Sequence, residues 1–124
     1  MKIEVSNGEI VDKLTIIEIK LENIRDEQKL INLKSEFIVL DQVVELLLSK
    51  KHPLYLELLA INKQLWVIED RIRELEKNKD FGDEFIQVAR SVYFINDQRS
   101  ELKRKINVLT NSSLIEEKSY EKYT

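Results

Sequence analysis

Residues 53–79 read PLYLELLAINKQLWVIEDRIRELEKNK, and this stretch decides the fold class. Its apolar residues recur at alternating steps of four and three, which is the spacing of one buried face on a long helix. Pro53 stands where such a helix begins, because proline lacks only an amide that has no partner at that position. The pattern predicts a helix over residues 53–79. Its buried face comprises Leu54, Leu58, Ile61, Leu65, Ile68, Ile72 and Leu75.

The pattern resumes after the short connection at residues 80–83, where Asp80 or Asp83 is expected to cap the next helix. It predicts a helix over residues 81–110. We call the line of buried-face positions along such a helix the seam, and Arg99 is the one polar residue on it. Because the connection is so short, the two helices must form an antiparallel hairpin. The apolar residues on this seam are Phe81, Phe85, Val88, Val92, Ile95, Leu102, Ile106 and Leu109.

The N-terminal segment predicts another helix, over residues 7–49. Ser6 and Glu9 form a capping box, and no glycine or proline lies between residues 9 and 49. The apolar seam slips near residue 28, within the wholly polar run 25–29. We expect one continuous helix, since no turn residue stops it. The alternative is a break near residue 28.

A second capping box, Ser113 with Glu116, predicts a short helix over residues 114–121. The sequence therefore predicts an all-α fold. We expect an elongated antiparallel three-helix, coiled-coil-like bundle with a short C-terminal helix, in one domain spanning residues 1–124. If the first helix breaks near residue 28, a four-helix bundle results.

The widest apolar surface falls between residues 37 and 48, where 9 of 12 residues are apolar. One face of a hairpin cannot cover so broad a surface, so we predict a homodimer. The alternative is a four-helix monomer in which a bend near residue 28 folds this stretch inward. The expected partner-interface residues are Phe37, Leu40, Val44, Leu47, Trp66 and Tyr93.

Composition narrows the chemistry. The chain has two glycines and one proline, too few for turn-rich β folds or Gly-rich phosphate loops. Without cysteine and with one histidine it lacks the usual zinc and iron ligands, so we expect no metal and no cofactor. The net charge of −3 argues against a nucleic-acid binder. No signal peptide or long apolar run is present, which predicts a cytoplasmic protein without a membrane span.

Arg99 is the polar residue that most needs a partner, because a guanidinium buried alone in a seam costs several kcal/mol. Glu57, Glu18 and Glu22 are the expected partners, whereas Glu9 and Asp12 are explained by the helix start. The structural polar core candidates are Glu18, Asn62 and Glu69. The candidate ligand- or anion-binding residues are Arg73, Arg90, Asn96 and Arg99. No catalytic residue stands out.

Several motifs resemble a family of short bacterial and phage-associated proteins of unknown function. They include Glu9–Lys20 (EIVDKLTIIEIK), Ala89–Tyr93 (ARSVY), Asn96-Asp97 and Glu116–Tyr120 (EEKSY). The resemblance covers nearly the whole chain and implies a stand-alone protein, but it brings no activity and no catalytic residue.

The function predicted from these features is a helical homo-oligomeric interaction or scaffold module. An alternative is a small all-α enzyme or anion-binding protein that uses arginines of the bundle. A third is a weak nucleic-acid binder, for which the basic run Arg99, Lys103, Arg104 and Lys105 is the only signal. A homodimer is the expected partner state.

Overall fold

A computed structural model describes residues 1–119 and contains four helices in that range, with no β-strand. The helices are α1 (Asn7–Asn23), α2 (Glu27–Leu47), α3 (Pro53–Lys77) and α4 (Asp83–Leu109). The all-α prediction is confirmed, in its four-helix form.

The continuous first helix is wrong, because the chain turns at residues 24–26. Ile24 leaves the helix with φ −90° and ψ 133°, and Asp26 is extended at φ −63° and ψ 123°. Asp26 caps α2, its side chain accepting a hydrogen bond from the amide of Lys29 at 2.9 Å. An Asp at the N-cap accepts a hydrogen bond from a first-turn amide that has no partner within the helix. α2 can therefore begin here without a glycine or proline. The turn lets α2 pack back along α1, which a continuous helix could not do.

α1 is the central helix and packs against the other three. α3 and α4 form the predicted hairpin, while α2 packs along α1 and, within residues 1–119, along neither α3 nor α4. The core lies where α1 meets its neighbours. Its fully buried apolar side chains are Val11, Leu14, Val44, Tyr55, Leu58 and Ile106.

The helix starts agree only partly with the sequence. The oxygen of Ser6 accepts from the amide of Glu9 at 3.2 Å, as predicted. α3 begins at Pro53, but α4 is capped by Gly82 rather than by Asp80 or Asp83. Asp80 instead accepts a hydrogen bond from the amide of Gly82 at 3.3 Å, which shapes the turn.

The predicted helix at 114–121 is absent over residues 114–119, and residues 120–121 lie outside the described range. The tail is held by α1 instead. The amide of Asn7 donates to the Ser112 hydroxyl at 2.9 Å, and the Ser6 hydroxyl donates to the carboxylate of Glu116. Glu116 therefore binds the start of α1 rather than capping a helix of its own.

The start of α1 lies against the backbone of α4. A β-carbon on Gly8 would lie 2.4 Å from the carbonyl oxygen of Lys103, so only glycine fits this approach. The amide of Gly8 also donates to the buried side chain of Asn107 at 2.6 Å. None of the four helices is long and apolar enough to cross a membrane.

Candidate functional site

A buried polar cluster lies where α1 meets α3 and α4. The Asp12 side chain, 1% exposed, accepts from Arg99 Nε at 2.9 Å and from Arg99 Nη2 at 2.5 Å. Asn62 Nδ2 donates to Asp12 at 2.9 Å and to the hydroxyl of Thr15 at 2.8 Å. Thr15 in turn donates to the Asp12 carbonyl at 2.7 Å. The cluster joins three helices through one carboxylate.

Asp12 is therefore the partner of Arg99, and the expected partners Glu57, Glu18 and Glu22 are wrong. The bidentate hydrogen bond from Arg99 to this carboxylate raises the pKa of the guanidinium, against the opposing effect of burial. Sequence reasoning missed Asp12 because it assigned α1 one buried face. α1 packs on three helices, so Asp12 and Thr15 are buried as well as Leu14 and Ile17.

A groove with a volume of about 420 Å³ opens beside this cluster. Its apolar part is formed by Ile16 and Ile19 of α1 with Leu65 and the indole of Trp66 from α3. Polar side chains surround this apolar part. They are Asn62, Glu69, Asp70, Arg73, Asn96 and Arg99.

The groove brings together Arg73, Asn96 and Arg99, three of the four candidate ligand-binding residues. The fourth, Arg90, is exposed outside it, with its Nε donating to the Tyr93 hydroxyl at 3.3 Å. Arg73 also pairs with Glu69 at 3.3 Å. Whether these residues bind a ligand stays a prediction.

The three polar core candidates have different environments. Asn62 is buried in the cluster, whereas Glu69 is exposed at the groove. Glu18 accepts a hydrogen bond from the Tyr55 hydroxyl at 2.7 Å. Burial, followed by this contact with Glu18, raises the pKa of Tyr55.

The predicted interface residues of α2 face the inside of the chain. Val44 is fully buried, and Phe37, Leu40 and Leu47 pack partly against the same core. Trp66 lies in the groove, and Tyr93 is exposed with its ring 4.8 Å from that of Phe94. The stretch 37–48 is apolar on two sides, and a count of its apolar residues does not distinguish the two.

The second side of α2 is exposed and apolar. We call it the outer face; its residues are Ile31, Ile38, Val39, Val43 and Leu46. Leu46 is 86% exposed, although leucine is among the residue types most often buried. Helical spacing places these five residues on the side away from Leu33 and Val44, together with exposed Asn32, Ser35 and Gln42.

A second group of polar side chains lies at the N-terminal end of α1. Lys103 of α4 pairs with Glu9 at 2.6 Å and with Glu116 at 3.7 Å. Arg104 pairs with Glu117 at 2.7 Å. These pairs fix the tail against α1 and α4. In the described part of the chain, no three histidine or carboxylate side chains come together in a way that could hold a metal ion.

Comparison with known proteins agrees with the resemblance seen in the motifs. One family model, described as a family of unknown function, matches residues 1–124. No curated protein and no solved structure matches the chain. The bacterial or phage origin and the individual signature positions stay predictions. The chain belongs to the family of unknown function DUF6165.

Proposed function

We propose that this chain is a homo-oligomeric interaction module, acting as one domain of residues 1–124, in which the outer face of α2 binds the same face of a second copy. One observation supports this: α2 is apolar on two sides, and residues 1–119 cover only one of them. Exposed apolar side chains grouped on one side of a helix in this way are typical of an interaction surface.

The charges beside the outer face favour a second copy in antiparallel orientation. Exposed Lys34 and Glu45 lie on the same flank of α2. Antiparallel pairing about a point between residues 38 and 39 places Ile31 against the partner's Leu46 and Lys34 near the partner's Glu45. A two-fold symmetric dimer makes each of these contacts twice, which suits a self-complementary face.

The energy of such a contact is of the order that a dimer needs. The outer face exposes the equivalent of about three whole aliphatic side chains per copy. At about 1.5–3 kcal/mol per buried side chain, two copies gain about 9–18 kcal/mol. Association costs about 4–15 kcal/mol. The balance allows a dimer in the micromolar range.

Sedimentation velocity from about 1 to 100 µM tests the proposal, since this range spans micromolar dissociation constants. We expect the dimer to form in this range and Val39→Glu to weaken it at least about tenfold, because two glutamates meet at the symmetry axis. The matched control is Val67→Glu, since Val67 of α3 is exposed to nearly the same degree as Val39 (66% against 63%). A wild-type monomer throughout, or equal effects of the two variants, would overturn the proposal.

The other candidate functions have different support. The groove beside Arg99 favours binding of a small molecule. Nucleic-acid binding has no such support, because Arg99, Lys103 and Arg104 of the basic run each pair with a carboxylate. A cytoplasmic location stays a prediction, which cell fractionation tests.

A further inference from the structure

We infer that the groove between α1, α3 and α4 binds a small molecule that carries one carboxylate on an apolar body. This site is separate from the outer face of α2 and does not depend on dimer formation. Its volume of about 420 Å³ is within the usual range for small-molecule pockets.

Arg99 supplies the recognition of the carboxylate. Its guanidinium carries five N–H groups, of which one on Nε and one on Nη2 bind Asp12. The side chain is 28% exposed and lines the groove. The remaining N–H groups can therefore donate to a ligand, while Asp12 fixes the plane of the guanidinium in advance. A donor fixed in this way loses little entropy on binding.

The charge balance disfavours a ligand with more than one negative charge. Arg99 and Arg73 line the groove together with Glu69 and Asp70, and buried Asp12 lies directly behind Arg99. Two arginines and three carboxylates give a net charge of −1, so a dianion such as phosphate would lose more hydration than it regains. A monocarboxylate needs only one bidentate contact.

The apolar part of the groove selects the rest of the ligand. Ile16, Ile19 and Leu65 offer aliphatic contacts, and the Trp66 indole offers a flat surface. An alkyl or aryl body covers these side chains and removes them from water. The amide of Asn96 lies beside this surface and can donate to the carboxylate, whereas both N–H groups of Asn62 are taken by Asp12 and Thr15.

Trp66 makes the site directly measurable, because it is the only tryptophan in the chain and lines the groove. Titration with hexanoate is expected to shift its fluorescence saturably, with a Kd of about 1 mM for so small a ligand. Hexanol, which has the same apolar body without the charge, is expected to bind at least about tenfold more weakly, and inorganic phosphate not to compete. N-acetyl-alanyl-leucine presents the same group as a peptide C-terminus. Comparing its Kd with that of hexanoate shows which of the two ligand classes the groove binds more tightly, a free acid or a peptide C-terminus.

Two variants test the residues. Asn96→Phe places an aromatic ring in the groove and is expected to abolish the hexanoate shift. Arg99→Lys keeps a cation beside Asp12 but loses the planar donor, and it is expected to weaken hexanoate at least about tenfold. Arg90→Lys, outside the groove, is the matched control, and circular dichroism checks that each variant is folded. The inference is overturned by hexanol binding as tightly as hexanoate, by phosphate competing, by either groove variant binding like the control, or by no saturation below about 10 mM.

Discussion

Replacing Asp12 with alanine tests whether the buried polar cluster holds the helices together. The carboxylate accepts three hydrogen bonds, two from Arg99 and one from Asn62. Its removal leaves a half-buried guanidinium without an anion and a buried amide with one partner fewer. All three helices at the cluster lose their shared contact.

The expected cost follows from the exposure of each partner. Breaking a fully buried ion pair costs about 3–5 kcal/mol. Arg99 is 28% exposed and can turn part of its charge towards water, so the lower end of that range applies. We expect Asp12→Ala to lower the free energy of unfolding by about 3 kcal/mol. With a urea dependence of about 1.5 kcal/mol per molar for a chain of this size, the midpoint falls by about 2 M.

Urea unfolding followed by circular dichroism and by Trp66 fluorescence measures this change. Glu22→Ala is the matched control, because Glu22 is an exposed acid on the same helix, 3.9 Å from Lys63. That variant is expected to change stability by less than about 1 kcal/mol. Arg99→Met should keep the fold, and combining it with Asp12→Ala should cost less than the two changes added. Equal losses for Asp12→Ala and Glu22→Ala, or simple additivity in the double variant, would refute the reasoning.

Three further changes test other parts of the fold. Gly8→Ala forces a β-carbon against the Lys103 carbonyl and should cost about 1–3 kcal/mol in urea unfolding; an unchanged midpoint would contradict the close approach. Asp26→Ala removes the cap of α2 and should cost about 1 kcal/mol, with Asn at the same position restoring most of it. Tyr55 has a folded-state pKa above its unfolded value, so its stabilising contribution is complete below about pH 10 and is lost as pH rises further. Stability should thus fall less steeply above that pH in Tyr55→Phe than in the wild type, and equal slopes would contradict this account.

The hairpin of α3 and α4 could be predicted from sequence because its signals are local. Seven seam positions follow one another without a slip, Pro53 marks the start, and the connection is too short for any other arrangement. The Ser6 N-cap could be predicted for the same reason, since the amide that it binds belongs to Glu9, only three residues away. Such features depend on neighbouring residues and need no knowledge of the remaining chain.

The break between α1 and α2 was harder to predict because its signal is weak. Asp26 within a polar run suits either an exposed turn of a helix or an N-cap, and the two differ by about 1 kcal/mol. What decides between them is the packing of α2 on α1, which is not a local property. The missing helix in the tail has the same kind of cause. The carboxylate of Glu116 accepts a hydrogen bond from Ser6, which is distant in sequence, and so does not cap a local helix.

The sequence predicted several residues of the candidate site but not how they contact one another. Arg73, Asn96 and Arg99 were identified individually, and the structure places them at one groove. Asp12 was missed because a residue near a helix start has an ordinary explanation there. A central helix is buried around most of its circumference, so an Asp and a Thr three residues apart between buried apolar positions are the signal to look for.

The turn at residues 24–26 connects the groove with the outer face of α2. It limits α1 to 17 residues, against 25 in α3 and 27 in α4, so α1 is too short to cover the whole hairpin. The groove lies beside Ile16 and Ile19, in the C-terminal half of α1. The same turn returns α2 along α1, where residues 1–119 bury one of its two apolar sides. A single Asp-capped turn therefore positions the helices that carry both proposed sites.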